Sequence, residues 1–238
     1  MAIMRRIVYL FFFVAIGMCV AAQETVQPAT EFEFLTEYGY NLTYQHHANF
    51  DLKARTTINR HFELDAALQL STVNHYTAAV STRAVFPLPV GDMYLQNRLM
   101  YKLLCFAKLY DFNAALSLGY RMDYVNVELG LFARVMDEWK RPVHSEVEPI
   151  IEPYNILYRI EAFVRPQASR WNLSLCFSNI DDYQMERMWQ PLFMLGGYYC
   201  PADHWKVLAG VECKPTGMFH LNAQFYGVVA RVGVAYKL

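Results

Sequence analysis

Side-chain character that switches from one residue to the next, in runs longer than ten residues repeated to the C-terminus, constrains this chain more than any other feature. In Glu31–Gln45 the even positions are Phe32, Phe34, Thr36, Tyr38, Tyr40, Leu42 and Tyr44, and the odd positions are Glu31, Glu33, Leu35, Glu37, Gly39, Asn41, Thr43 and Gln45. Successive side chains of a β-strand point to opposite faces, so this segment has one apolar, aromatic face and one polar face.

Alternation and turn signals divide the chain into about twelve such segments of roughly ten residues, the length that crosses a bilayer at a tilt. They run Phe32–Gln45, Phe50–Asn59, Phe62–Val73, Tyr76–Phe86, Met93–Leu104, Tyr110–Met122, Tyr124–Met136, Glu152–Val164, Arg170–Ser178, Gln190–Cys200, His204–Cys213 and Val228–Leu238. In the last, Val228, Ala230, Val232, Val234, Tyr236 and Leu238 oppose Arg231, Gly233 and Lys237. Upstream, Phe219, Leu221, Ala223 and Phe225 have the opposite phase, which predicts a bulge or loop at Tyr226-Gly227. If Asn59–His61 forms the turn, Ile58 faces Phe62 and Arg55 falls opposite Asp65.

The N-terminus reads as a secretory signal peptide over 1–22. Met1–Arg6 is basic, Ile7–Val20 is apolar, and Val20-Ala21-Ala22 sets cleavage before Gln23. Residues 23–31 then form a short periplasmic segment and 32–238 a single barrel domain. Composition fits: 55% hydrophobic and 16% aromatic, but only 18% charged, against a usual ~25%. A soluble domain hides its apolar residues in one core, whereas here there are enough to cover an exterior as well. No stretch after the signal supplies ~18 uncharged apolar residues, so helices do not cross. A bilayer demands that every backbone polar group be paired internally, which leaves a closed barrel. The net charge of −1 argues against nucleic acid as a partner. The fold class is therefore all-β: one antiparallel, up-and-down transmembrane β-barrel, with ten and fourteen as the adjacent even counts.

With twelve strands, the three longest connections, Asp137–Ile151, Asn179–Trp189 and Lys214–Tyr226, follow odd strands and fall on one side. Barrels of this kind have short periplasmic turns and longer external loops. The polar face then looks into the lumen. A charged constriction there would draw on Lys53, Arg55, Asp65, Arg83, Arg98, Lys102, Arg121, Glu128, Arg134, Arg159, Glu161 and Arg231. The basic arc from Arg83 through Arg98, Lys102 and Arg121 to Arg134 would favour anionic solutes. Trp171, Trp189 and Trp205 lie at strand ends, where an interfacial girdle sits. Five histidines, His46, His47, His75, His144 and His220, fall on the external side, but no spacing matches a zinc pattern, and no metal or cofactor is expected. Cys105, Cys176, Cys200 and Cys213 have irregular spacing that fixes no disulfide.

The chain resembles small bacterial outer-membrane β-barrel proteins over its whole mature region. The most specific element is the C-terminal strand with Val232, Val234, Tyr236 and Leu238 at alternate positions. The resemblance implies that this strand is the signal read by the outer-membrane insertion machinery. It ends in Leu238, where a terminal Phe is commonest. The resemblance also implies a Gram-negative outer membrane, with the lipid bilayer as the principal partner.

Fold does not specify function in such proteins. The expected role is that of a narrow passive channel for small polar or ionic solutes, or a structural envelope component. One alternative is a lipid-modifying barrel enzyme of acyltransferase, deacylase or phospholipase type. The other is an accessory barrel that binds a second envelope protein through Trp139, Tyr183 and Met188. No catalytic motif is present, and His75 and Ser81 stand six residues apart on one strand, ~20 Å, too far for a catalytic pair.

Overall fold

The computed structural model describes residues 28–42, 45–105, 107–139, 148–181, 183, 185–187, 190–217 and 224–238. The expectations for the signal peptide, His144, Met188, Trp189, Phe219, His220, Leu221 and Ala223 lie outside the described residues.

Twelve strands are present among the described residues: β1 (Ala29–Asn41), β2 (Gln45–Asn59), β3 (Phe62–Ser71), β4 (His75–Pro87), β5 (Asp92–Leu104), β6 (Leu109–Arg121), β7 (Val125–Glu138), β8 (Ile150–Phe163), β9 (Trp171–Ser178), β10 (Leu192–Ala202), β11 (Trp205–Thr216) and β12 (Gln224–Lys237). Each pairs antiparallel with the next, and β1 pairs with β12, so the sheet closes on itself. Closure removes the unpaired edges that hydrocarbon would not tolerate. β1 starts three residues before the expected Phe32, because Ala29 and Thr30 already pair with Thr57 and Thr56.

Pro153, Pro201 and Pro215 sit at ladder irregularities, where no amide donor is missed. The β7–β8 register skips between Phe132 and Arg134, leaving an extra residue of β8 beside Pro153. The β10–β11 register shifts between Tyr199 and Ala202, around Pro201. The β11–β12 register shifts between Lys214 and Pro215, opposite Tyr226. That last bulge falls where the phase change in the sequence required it. At the β2–β3 turn, Asn59 rather than Ile58 faces Phe62, with the register shifting between Thr57 and Asn59. The shift absorbs one residue and leaves Arg55 opposite Asp65, as counted.

The apolar face is outside. Phe32, Phe34, Leu52, Leu68, Val80, Leu118, Leu129, Leu131, Leu175 and Val232 are all exposed. Aromatic side chains gather at both rims of this belt. Tyr38, Tyr40, Tyr76, Tyr101 and Trp139 mark the rim that carries the long connections, and Phe86, Tyr124, Trp171, Tyr199, Trp205 and Tyr236 mark the other. Two girdles flanking an apolar band are the signature of a barrel set in a bilayer. Val232, Val234, Tyr236 and Leu238 stand on this outer face. Tyr236 packs on Trp205 with ring centroids 4.9 Å apart.

Candidate permeation site in the lumen

The inner face carries the charges, and most of them are paired across strands. At the end with the short turns, Arg83 donates to Glu63 at 2.6 Å and to Gln96 at 3.1 Å. Arg121 reaches Glu63 at 3.3 Å and Asp92 at 3.2 Å. Arg55 donates through Nε to Asp65 at 2.8 Å, and Ser81 Oγ donates to the same carboxylate at 3.2 Å rather than to His75. Tyr94 lies across Gly119, where an added Cβ would overlap the ring, and donates to Asn126 at 2.9 Å. Gly119 is required there because the ring occupies the space of a side chain. Towards the opposite end, Arg134 grips Asp111 with two bonds of 2.9 and 2.6 Å. Arg231 bridges Glu37 at 3.1 Å and Glu212 at 2.9 Å, and both carboxylates are buried.

Part of the lumen is not polar. Ala67, Ala79, Met100, Ala115, Phe132 and Leu157 project inward from six consecutive strands, β3 to β8, and are buried. They pack on Ile180, Tyr183 and Met185 from the connection between β9 and β10. That connection, expected as an external loop, is folded into the barrel, and Tyr183 is buried there instead of facing a partner protein. The three inward alanines leave room for it.

The inserted loop is held at its root. β9 ends at Ser178, whereas β8 continues up to Ile150, so the ladder between them covers only Arg159–Phe163. Asn179 extends it. Its Oδ1 accepts from Tyr158 N at 2.9 Å, and its Nδ2 donates to Ile156 O at 2.6 Å and Glu186 O at 3.1 Å. Ser178 Oγ donates to Ile180 O at 2.8 Å. Ion pairs Glu186–Lys214 and Arg187–Glu152 fasten the loop to β11 and β8, on either side of the notch left by the short β9. Arg159 Nη2 donates to Ile180 O at 3.2 Å.

The lumen around this plug holds three cavities. A cavity of about 520 Å³ opens at the turn end, lined by Arg55, Arg83, Arg121, Arg159, Lys206 and Lys237 against Glu31, Glu161 and Asp203. A middle cavity of about 270 Å³ follows along β9–β11 and β1, lined by Leu35, Phe163, Cys176, Met194 and Leu208 together with Glu33, Glu161, Arg159 and Arg231. A third, of about 300 Å³, opens at the loop end with Glu37, Lys102, Asp111, Arg134, Asp181, Glu212, Lys214 and Arg231 in its wall. Turn-end and middle cavities share Arg159, Glu161, Phe163 and Tyr198, while middle and loop-end cavities share only Arg231. Arg231 with Glu37 and Glu212 is therefore the neck.

The residues singled out from the sequence divide accordingly. Arg55, Arg83, Arg121, Arg159, Glu161, Lys102, Arg134 and Arg231 line these cavities. Lys53, Asp65, Arg98 and Glu128 are buried and are not among the lining of these three cavities. The basic arc is thus not one continuous track. Its members also face carboxylates, so guanidinium groups dominate only the surface of the turn-end cavity. Reading by alternation missed Asn179 and the loop it anchors. The signal available was the row of apolar inward positions on β3–β8, which a water-filled lumen does not call for. His47 and His75 look inward, whereas His46 turns outward and meets Tyr38 Oη at 3.0 Å. Among the described residues no three His, Cys, Asp or Glu side chains converge as for a metal. The four cysteines of the barrel are free thiols.

No protein-family model matches the chain, and no curated relative matches its sequence. Its fold is similar to solved barrels. The KdgM porin in complex with disordered oligogalacturonate superimposes with a TM-score of 0.52 at 13% identity, covering 87% of this chain and 98% of that one. The NanC porin superimposes with a TM-score of 0.50 at 12% identity, covering 86% and 100%. At such identities the likeness establishes the architecture, a closed twelve-stranded barrel of the outer-membrane type.

Proposed function

We propose that this outer-membrane-type barrel is a narrow passive channel for small polar or ionic solutes, exported by its N-terminal signal and seated in the outer membrane. The observation that carries the reading is the succession of three cavities from the turn end to the loop end, each sharing lining residues with the next, beside the inserted loop. A purely structural barrel has no need of hollows that share lining residues from end to end. The neck at Arg231 sets the size limit. Its ion pairs are buried, and breaking one partner of such a pair costs about 3–5 kcal/mol, so the neck passes small solutes without opening widely. The outward ladder Val232, Val234, Tyr236 and Leu238 supports delivery through the outer-membrane insertion machinery. Planar-bilayer recording tests the channel: small, ohmic conductance steps are expected from the purified protein. Silence from the native protein and from a variant with a loosened loop would leave the structural role instead.

A further inference from the structure

The belt of the barrel is not uniformly convex. Over β9–β11 a groove of about 550 Å³ runs on the outer face, walled by Trp171, Leu173, Leu195, Tyr199, Val207 and Val211. Its floor is Gly197 paired with Ala209, a cross-strand pair with almost no side chain between them. From Tyr199 to Leu195 it spans four residues, ~13 Å at ~3.3 Å per residue. That is close to half of a ~30 Å hydrocarbon core, the depth of one leaflet. The groove begins at the turn-end girdle. There the Arg165 guanidinium lies over the Trp171 ring at 3.9 Å. A stacked guanidinium keeps its N–H donors in its own plane, where they suit phosphate oxygens. The turn that presents Arg165 is rigid: Asn172, fully enclosed, accepts from Arg165 N at 3.0 Å and donates to Arg165 O at 2.7 Å. Arg170, next to Trp171, stands exposed with Asp203 at 3.8 Å. A pair so exposed is weak in water and yields to a stronger anion.

We propose that this face retains one anionic phospholipid, with an acyl chain in the Gly197/Ala209 groove and its phosphate at Arg165 and Arg170. The proposal rests on the membrane-spanning reading but not on conduction. Charge complementarity and a one-leaflet length select a lipid over a second copy of the chain. A two-fold pair through this face would set two concavities against each other and leave a void.

The test is native mass spectrometry of the detergent-purified barrel, supplied with phosphatidylglycerol or phosphatidylcholine. One phosphatidylglycerol is expected to stay bound, preferred over phosphatidylcholine by roughly fivefold for each arginine. Ala209→Leu fills the groove and lowers retention roughly tenfold, whereas Ala66→Leu, on the outer face of β3, leaves it unchanged. Arg165→Gln with Arg170→Gln abolishes the headgroup preference. Heat-modifiable mobility on gels confirms that each variant is a folded barrel. Equal retention of both lipids by the native protein, retention indifferent to Ala209→Leu, or a dimer in place of a lipid adduct overturns the proposal. A barrel that binds the lipid yet conducts nothing overturns the channel reading alone, and one that fails to float with liposomes overturns both.

Discussion

Replacing Asn179 by alanine should free the inserted loop while leaving the barrel intact. The side chain has no exposed surface and makes three hydrogen bonds, of 2.6, 2.9 and 3.1 Å, to Ile156 O, Tyr158 N and Glu186 O. Each is worth a net ~0.5–1.5 kcal/mol, so the substitution weakens docking by about 3 kcal/mol. That is a shift of roughly 150-fold in the ratio of docked to undocked loop. Two backbone bonds persist at the root, Asn179 N to Tyr158 O at 3.2 Å and Glu186 N to Asn179 O at 2.7 Å, and no strand pairing is touched. Undocking uncovers Ile180, Tyr183 and Met185 and widens the lumen on its β3–β8 side. In planar bilayers the variant should show excursions to a larger conductance that the native protein lacks. Trypsin added at the loop end should cut after Arg187 in the variant and spare the native chain. A variant with normal heat-modifiable mobility, unchanged conductance and an uncut Arg187 would refute the reasoning.

Other outcomes follow from the ion pairs. Arg231→Met strands Glu37 and Glu212 in the neck and should destabilise the barrel by about 3–5 kcal/mol. This is measured as a lower temperature for loss of the folded gel band, and adding Glu37→Gln and Glu212→Gln should restore most of it. The Arg55–Asp65 pair has a half-exposed arginine, so a double-mutant cycle in urea should return a coupling under ~1 kcal/mol. Arg121→Glu, in the wall of the turn-end cavity, should move the reversal potential in asymmetric salt towards cation preference. Arg98→Glu, at a buried position that lines none of the three cavities, should leave that potential in place and show its effect as lost stability.

The outline of the barrel was legible because alternation has a period of two and one face must meet hydrocarbon. A one-residue error would have turned Glu33, Asp51 and Arg231 towards lipid, so the register was over-determined. Arg55 opposite Asp65 could be counted from the turn, even though Ile58 bulges. The bulge at Tyr226 could be read from a phase change because both flanking ladders were long. The loop after β9 was not legible by the same means. Ile180, Tyr183 and Met185 are spaced by three and then two residues, which defines no face, and the loop's docking depends on Ala67, Ala79 and Ala115, distant in the sequence (their small size reads as nothing until the strands are brought together). The neck was half legible. Arg231 announced itself as an inward charge, but its companions Glu37 and Glu212 come from the opposite end of the chain and from the neighbouring strand.

Ring closure by β1 and β12 makes the seam equivalent to every other joint between neighbouring staves. Thr30 accepts from the amide of Leu238 at 2.8 Å, so the start of β1 and the end of β12 lie side by side. A permuted chain, spliced across that seam and cut between Arg60 and His61, should rebuild the same cylinder. What the natural order does dictate is how the ring is sealed: the closing joint links the first stave to the last, and the cylinder stays ajar until β12 reaches β1.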